Sequence, residues 1–213
     1  MKLAEMALAI LGGIGNTVGI RAGTEEPRFT VVERVGEIDI RRYGPRLAAE
    51  AEVGGPEEAA RNEGFRKIAG YIFGGNTGQT SIAMTAPVAQ SAGGSDSGHS
   101  IAMTAPVAQM QGAGGNWRIQ FYMPAKYRRE TLPAPKDPSV RIVDVPAQDY
   151  AVLRFSGSRS PAAVAAKSQA LKARLAGARW RIVGEPVAWF YDPPWTAPFL
   201  RRNEVAAPVT AGR

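Results

Sequence analysis

The decapeptide SIAMTAPVAQ occurs at residues 81–90 and again, without a single change, at residues 100–109. Each copy alternates as Ile-x-Met-x-Ala, which is the two-residue period of a β-strand, and its proline is compatible with an edge strand or a strand end. A connector rich in Gly and Ser, residues 91–99, separates the copies and ends in His99, the only histidine of the chain. The stretch therefore predicts two extended segments joined by a loop.

The overall composition is typical of a soluble globular protein. With 213 residues, 45% of them apolar, the chain is long enough for one large domain or two small ones. The 26 Lys and Arg residues outnumber the 19 Asp and Glu residues, which favours anionic partners, but no nucleic-acid-binding motif accompanies this charge. The absence of cysteine and the single histidine exclude disulfides, cysteine nucleophiles, thiolate metal sites and multi-histidine metal sites.

The N-terminal segment, residues 1–22, has an apolar character of its own. It carries Lys2 and Glu5, and no charged residue follows between Met6 and Ile20. This apolar run is shorter than the roughly 20 residues of a spanning helix, so we interpret the segment as a signal-like or membrane-anchor sequence, or else as a loosely packed helix. The first interpretation predicts a location in the cell envelope, periplasmic or membrane-anchored, and the second predicts a cytoplasmic protein.

Before the duplication, the sequence pattern predicts strands followed by a helix. Alternating apolar residues between positions 28 and 53 indicate strands, with a turn at Tyr43-Gly44-Pro45. A helix is predicted to begin near Pro56 and to end at Gly74. Its apolar residues fall at i, i+3, i+4, i+7 and i+8, which places them in one stripe: Phe65, Ile68, Ala69, Ile72 and Phe73.

The same order of elements returns after the duplication. Residues 124–138 contain four prolines and predict an irregular surface segment. The other predicted elements are strands at 117–123, 140–143, 150–155, 180–183 and 187–191, and a helix with Ser160 as its N-cap. Because strands followed by a helix occur in both halves, we predict two αβ repeats that share one antiparallel sheet or a partly closed barrel.

Several of these segments together resemble the SOUL haem-binding protein family. The matching sequences are IDIRRYG at 38–44, GFRKIAGYIFG at 64–74, the repeated IAMTAPV, FYMP at 121–124, YDPP at 191–194 and RRNEV at 201–205. The resemblance implies an α+β fold: a distorted antiparallel β-barrel built from two pseudo-symmetric αβ repeats and flanked by two α-helices. It also implies a single domain over residues 23–213, with a duplicated strand insertion at 81–109, in which only one copy can occupy the core strand position.

The resemblance further implies that the protein binds haem or a related tetrapyrrole in an apolar groove beside the first helix, as a non-enzymatic carrier or buffer. A flat apolar ligand with two propionates requires an apolar slot and cationic groups at its rim. The slot candidates are Phe65, Ile68, Ala69, Ile72, Trp189 and Tyr191. The propionate candidates are Arg41, Arg66 and Arg201.

The candidate iron ligands are His99, Met84 and Met103, since imidazole and thioether groups are common axial donors to haem iron, and Tyr191 is a further choice. Members of the family that use a histidine have it elsewhere in the chain. His99 lies in the connector, so it is either a ligand or a solvent-exposed loop residue. The two methionines occupy equivalent positions in the repeats, and packing in the core is the alternative role for both.

Two other functions remain open at this point. The first is a binding module for a different small amphipathic ligand, as in the regulator-type relatives of the fold. The second is an enzyme that acts on haem, for which Glu204 and Asp192 are the only acidic candidates within the family motifs. Structural roles are the alternative for these two residues, since Asp192 precedes two prolines and Glu204 is close in sequence to Arg201 and Arg202.

Overall fold

A computed structural model describes residues 25–77, 107–111, 115–192 and 195–212. The N-terminal segment, the iron-ligand candidates Met84, His99 and Met103, and the whole first copy of the decapeptide lie outside the described residues. Within these described ranges, no helix is both long enough and apolar enough to cross a membrane.

The described residues form ten strands and two α-helices. The first half contains β1 (Phe29–Val35), β2 (Ile38–Tyr43), β3 (Arg46–Val53), helix α1 (Glu57–Ile72), β4 (Val107–Gln111) and β5 (Trp117–Tyr122). The second half contains β6 (Val140–Val145), β7 (Gln148–Phe155), helix α2 (Pro161–Leu175), β8 (Trp180–Ile182), β9 (Val187–Phe190) and β10 (Asn203–Ala211). Single 3₁₀ turns at Arg129–Thr131 and Pro198–Leu200 interrupt two of the connections.

All ten strands belong to one antiparallel sheet. Its order is β1-β2-β7-β10-β9-β4-β5-β3-β6, and the short β8 pairs with β10 beyond the end of β9. Among the described residues, the terminal strands β1 and β6 do not pair with each other, so the sheet does not close. The α+β class with two helices is confirmed, the barrel closure is not, and the two-repeat origin stays a prediction.

Three apolar clusters stabilise the fold. They lie on both faces of the sheet, because successive residues of a strand point to opposite faces. The α1 cluster packs α1 against β3 and β5 and includes Ala49, Ala51, Ile68, Tyr71, Ile72, Ile119 and Phe121. The α2 cluster packs α2 against β2, β7 and β10 and includes Ile38, Ile40, Leu153, Leu171, Leu175 and Val205. The inner cluster lies on the face turned away from both helices and includes Tyr43, Ala48, Tyr122, Val152, Trp189 and Tyr191.

Strand β4 shows which copy of the decapeptide enters the sheet. Its residues Val107, Ala108 and Gln109 are the last three of the second copy, and they pair with β9 on one side and β5 on the other. Ala108 is fully buried in the inner cluster. The second copy therefore supplies this central strand.

Helix α1 lies close to the sheet because Gly64 faces β5. A Cβ atom at this position would overlap the side chain of Ile119, which is itself fully buried. Gly70, six residues further along the same helix, has open space where a Cβ would be. The two glycines therefore differ in their role, although both weaken the intrinsic helix propensity by roughly 1 kcal/mol relative to alanine.

We expect opposite effects from the same substitution at these two positions. Gly64→Ala should lower the free energy of unfolding by about 1–3 kcal/mol, because the added methyl group forces α1 away from Ile119. Gly70→Ala should raise the free energy of unfolding by about 0.5–1 kcal/mol through helix propensity alone. Urea denaturation of both variants measures the difference, and shifts of equal sign would contradict this account of α1 packing.

Candidate functional site

The apolar stripe of α1 divides into a buried part and an accessible part. Ile68 and Ile72 are completely buried against the sheet and belong to the core. Phe65 and Ala69 are half-buried, and Phe73, the C-cap residue of the helix, is 43% exposed. These three residues follow one another at a spacing of four and form a continuous apolar line, which we call the α1 ridge.

The slot candidates of the C-terminal half lie elsewhere. Trp189 and Tyr191 are buried in the inner cluster, on the face of the sheet opposite α1. The ring of Trp189 packs at 5.5 Å from that of Tyr43, and its indole Nε1 has no hydrogen-bond partner among the described residues. The structure therefore does not bring the six apolar candidates together in one groove.

A buried ionic network engages one of the propionate candidates. Glu204 is fully buried, and its carboxylate accepts hydrogen bonds from Arg41 Nη1 at 3.0 Å, Tyr191 Oη at 2.6 Å and Arg202 Nε at 3.1 Å. Arg41 also donates to Asp39 through Nη2, at 3.0 Å. Arg41 therefore holds Glu204 inside the protein and does not present its guanidinium to a ligand at the surface.

The other two propionate candidates lie in different settings. Arg66 is exposed on α1, and its Nε donates to the carbonyl oxygen of Asn62, one turn earlier, at 3.4 Å. Arg201 is half-buried between the Pro198–Leu200 turn and β10, and its Nε donates to the carbonyl oxygen of Thr196 at 2.8 Å.

Two arginines that the sequence analysis did not single out lie near Arg201. Arg61 of α1 is only 8% exposed, and Arg159, which precedes α2, is half-buried. Their guanidinium groups stand over the same ring, that of Phe190, at 5.2 and 5.6 Å from its centroid. Burial, together with the positive charges of Arg201 and Arg61, lowers the pKa of Arg159 to about 10, although the carboxylates of Asp192 and Glu58 act in the opposite direction. We call Arg61, Arg159 and Arg201 the arginine cluster.

Within the described part of the chain, the hydrogen bonds of Arg61 and Arg159 are made to uncharged oxygen atoms. Arg61 donates to Gln109 Oε1 at 3.4 Å and to the carbonyl oxygen of Arg159 at 3.3 Å. Arg159 donates to the carbonyl oxygen of Asp192 at 3.1 Å. Among the described residues, Arg61 forms a salt bridge with the exposed Glu58, across 3.7 Å. Arg61 lies four residues, or about one helical turn, before Phe65. This spacing is the sequence signal that would have identified Arg61 as a neighbour of the apolar stripe.

A cavity of about 680 Å³ opens where β3 begins and where β5 and β6 end. Small-molecule sites typically have volumes of about 300–1,000 Å³. The lining residues include Arg28, Arg46, Leu47, Tyr122, Met123 and Tyr127. The guanidinium of Arg46 lies between the rings of Tyr43 and Tyr122, at 4.7 and 4.6 Å. We call this space the strand-end cavity.

The described residues include the two acidic candidates of the sequence analysis but no cluster of metal ligands. Within them, no group of three or more His, Cys, Asp and Glu side chains is placed to hold a metal ion. The two acidic candidates are buried and already hydrogen-bonded: Asp192 Oδ2 accepts from the backbone NH of Arg202 at 2.6 Å, and Glu204 forms the network described above.

The family model described as "SOUL heme-binding protein" matches residues 24–208, nearly the whole chain. The protein therefore belongs to the SOUL heme-binding protein family, as the motifs of the sequence indicated. No curated protein gives a significant match.

Two solved structures are similar to this protein in fold. The crystal structure of the EcmrR C-terminal domain is 11% identical, with a TM-score of 0.53, and the match covers 82% of this chain and 97% of that chain. EcmrR in its cryo-EM complex with DNA is 10% identical, with a TM-score of 0.55, covering 99% of this chain and 68% of that one. At these identities the likeness shows a shared fold and no more.

Proposed function

We propose that this protein binds haem or a related tetrapyrrole in an apolar groove beside α1 and acts as a non-enzymatic carrier or buffer. Family membership supports the class of ligand. The α1 ridge is the observation that supports a binding site beside this helix, because Phe65, Ala69 and Phe73 form an accessible apolar line along it. A planar apolar ligand buries such a surface at a gain of about 25 cal/mol per Å² of apolar area.

The described residues suit the organic part of a tetrapyrrole. The ridge would contact the macrocycle, and Arg66, which is exposed on the same helix, would offer a positive charge to its carboxylates. Bound haem would contribute a strongly absorbing macrocycle and a redox-active iron. For the iron, His99, Met84 and Met103 stay the predicted ligands, and all three lie outside the described residues.

We expect Phe65→Glu and Phe73→Glu to weaken hemin binding at least tenfold, which corresponds to about 1.4 kcal/mol. A carboxylate on the ridge removes apolar contact and repels the propionates. The measurement is a titration of the purified protein with hemin, followed in the Soret region. Phe73 is already 43% exposed, so its variant tests the ridge without disturbing the core.

Val183→Glu is the matched control, because Val183 is 57% exposed next to β8 and far in sequence from α1. It should bind hemin as the unmodified protein does, with saturation at one equivalent. Non-saturating absorbance that is equal in all four proteins would overturn the proposed function.

A second candidate function is the binding of another small amphipathic ligand, and the strand-end cavity is the observation that favours it. Its volume suits a small molecule, and Arg46 places a positive charge beside the aromatic rings of its wall. If this function holds, an anionic fluorescent probe such as anilinonaphthalene sulfonate should bind to the native protein. Arg46→Gln should then weaken that binding, whereas Phe65→Glu should not.

The non-enzymatic part of the proposal has its own test. The burial and existing hydrogen bonds of Glu204 and Asp192 support it, because a general acid or base must reach the substrate. Iron released from hemin during incubation, measured with a ferrous chelator in the presence of reductant, would contradict it. Stable Soret absorbance over the same period is the expected result.

A further inference from the structure

The strand-end cavity has walls that are fixed before a ligand enters. Four of its lining residues are prolines, whose rings hold the backbone angle φ at about −65°: Pro27, Pro45, Pro124 and Pro146. Two hydrogen bonds tie the walls to one another. The backbone NH of Met123 donates to the carbonyl oxygen of Leu47 at 2.8 Å, and the backbone NH of Ala125 donates to Glu25 Oε1 at 2.8 Å. A rigid pocket of this kind loses little conformational entropy when it binds a ligand.

The floor of the cavity is apolar. Tyr122 and Met123 are buried, and Leu47 and Val145 are half-buried beside them. These side chains belong to or pack against the inner cluster and the α1 cluster, so the floor is continuous with the core of the protein. A flat ring system that lies against this floor is removed from water, which favours its binding.

Positive charge predominates among the charged residues of the cavity. Three carboxylates line it, together with four arginines: Arg28, Arg46, Arg128 and Arg129. Two of the carboxylates already have partners, since Asp144 accepts from Arg129 Nη2 at 2.7 Å and Glu25 accepts from a backbone NH. The third, Glu130, is exposed. Within the described ranges of the chain, Arg28, Arg46 and Arg128 form no salt bridge, and Arg28 and Arg128 are exposed at the rim. An anionic group therefore suits this cavity better than a cationic group.

Arg46 places its charge deeper in the same space. Its guanidinium stands between the rings of Tyr43 and Tyr122 and donates through Nη1 to the carbonyl oxygen of Gly44 at 3.3 Å. Burial raises the pKa of Tyr150, and the interaction of the Tyr150 hydroxyl with Arg46 opposes that rise. None of these described partners of Arg46 carries a negative charge, so its positive charge adds to the attraction for an anion in the cavity.

We propose that the strand-end cavity binds an aromatic carboxylate, with its ring on the apolar floor and its carboxylate at Arg28 and Arg128. This inference rests on the second candidate function, because it names the class of ligand for the same cavity. Guanidinium groups suit the carboxylate, since their paired N–H donors match its two oxygens. At the exposed rim the carboxylate also keeps part of its hydration, which avoids the cost of burying a charge. The cavity and the α1 ridge share no residue, so this site is separate from the proposed tetrapyrrole groove.

The experiment compares 2-naphthoate with 2-naphthamide, which has the same ring system and no charge. Isothermal titration calorimetry measures both affinities in the full chain and in its variants. Because exposed ion pairs contribute modestly, Arg28→Gln and Arg128→Gln should each weaken naphthoate binding about threefold, and the double variant about tenfold. The affinity for the amide should not change. The unmodified protein should accordingly bind naphthoate about tenfold more tightly than the amide.

Arg66→Gln is the matched control for the change in net charge. Arg66 is an exposed arginine that does not line the cavity, so its replacement should leave both affinities unchanged. Arg28 and Arg128 are exposed as well, and their replacement should not disturb the core. Naphthoate binding that Arg66→Gln weakens as much as Arg28→Gln would overturn the inference, because the attraction would then be a general effect of net charge.

The two probes also separate this inference from the function on which it rests. Equal affinities for naphthoate and the amide would overturn the assignment of an aromatic carboxylate and leave the binding of an uncharged amphipathic ligand intact. Failure to bind either probe would overturn the second candidate function together with the inference. Hemin binding, followed in the Soret region, should be the same in Arg28→Gln and Arg128→Gln as in the unmodified protein, so the tetrapyrrole function is judged independently.

Discussion

Glu204→Gln should lower the free energy of unfolding by up to about 3–5 kcal/mol, because it removes the fully buried carboxylate that Arg41 and Arg202 share and leaves each arginine with one partly exposed carboxylate, Asp39 or Glu26. Glu204 is fully buried, and its carboxylate is held by Arg41, Arg202 and the hydroxyl of Tyr191. Arg41 is itself 5% exposed, so water cannot replace the lost carboxylate without local opening of the sheet around β2, β7 and β10. The loss is measured by urea denaturation.

Glu37→Gln provides the matched control for this effect. Glu37 also forms a salt bridge, to Arg174 at 2.7 Å, but its side chain is 73% exposed. An exposed pair of this kind contributes about 1 kcal/mol or less. If Glu204→Gln cost no more than Glu37→Gln, the network around Glu204 would have to be open to solvent.

Raising the pH from 10 to 12 should destabilise the fold through its buried tyrosines. Burial is the main cause that raises the pKa of Tyr43 to about 12 and the pKa of Tyr71 to about 12. The folded state holds these protons more tightly than the unfolded state, whose tyrosines titrate near 10. The stabilisation is complete below pH 10 and is lost as the pH rises through 12, by roughly 2 kcal/mol for each tyrosine.

Tyr71→Phe isolates the tyrosine effect. The variant should lose roughly 2 kcal/mol less than the unmodified protein between pH 10 and pH 12, as measured by urea denaturation at several pH values. Identical pH dependence in both proteins would contradict it.

Most of the local structure could be predicted from the sequence because it follows from local patterns. The predicted N-cap of α2 is an example, since Ser160 accepts a hydrogen bond from the backbone NH of Ala163 at 3.3 Å and Pro161 occupies the first helical position. The strands at 28–53 and 140–155 and the helix after Pro56 also match their apolar periodicity.

Strand β10 was not predicted from the sequence, although it is a central strand of the sheet. Its sequence is rich in alanine and contains Pro208, which cannot donate a hydrogen bond within a sheet. The proline is tolerated because it lies between the part of β10 that pairs with β9 and the part that pairs with β8. That interruption is a property of the assembled sheet, so no local pattern could reveal it.

The candidate site was predicted only in part, for a related reason. Periodicity identifies the apolar stripe of α1, but it cannot separate the buried Ile68 from the half-buried Phe65. Arg61 and Arg159 are 98 positions apart and meet only in the folded chain. Conversely, Trp189 and Phe190 are neighbours in sequence but lie on opposite faces of a strand, so only Phe190 faces the arginine cluster.

The duplicated decapeptide means that one strand position of the sheet has two candidate segments of identical sequence. The sequence Val-Ala-Gln at 107–109, which pairs with β5 in the sheet, is also present at 88–90, so both segments have the same side chains for this strand position. What differs is the next residue. Met110 follows the second copy and packs against the inner cluster, whereas Ser91 follows the first. The contact of Met110 with the inner cluster is therefore one of the features that distinguish the second copy from the first at this strand position.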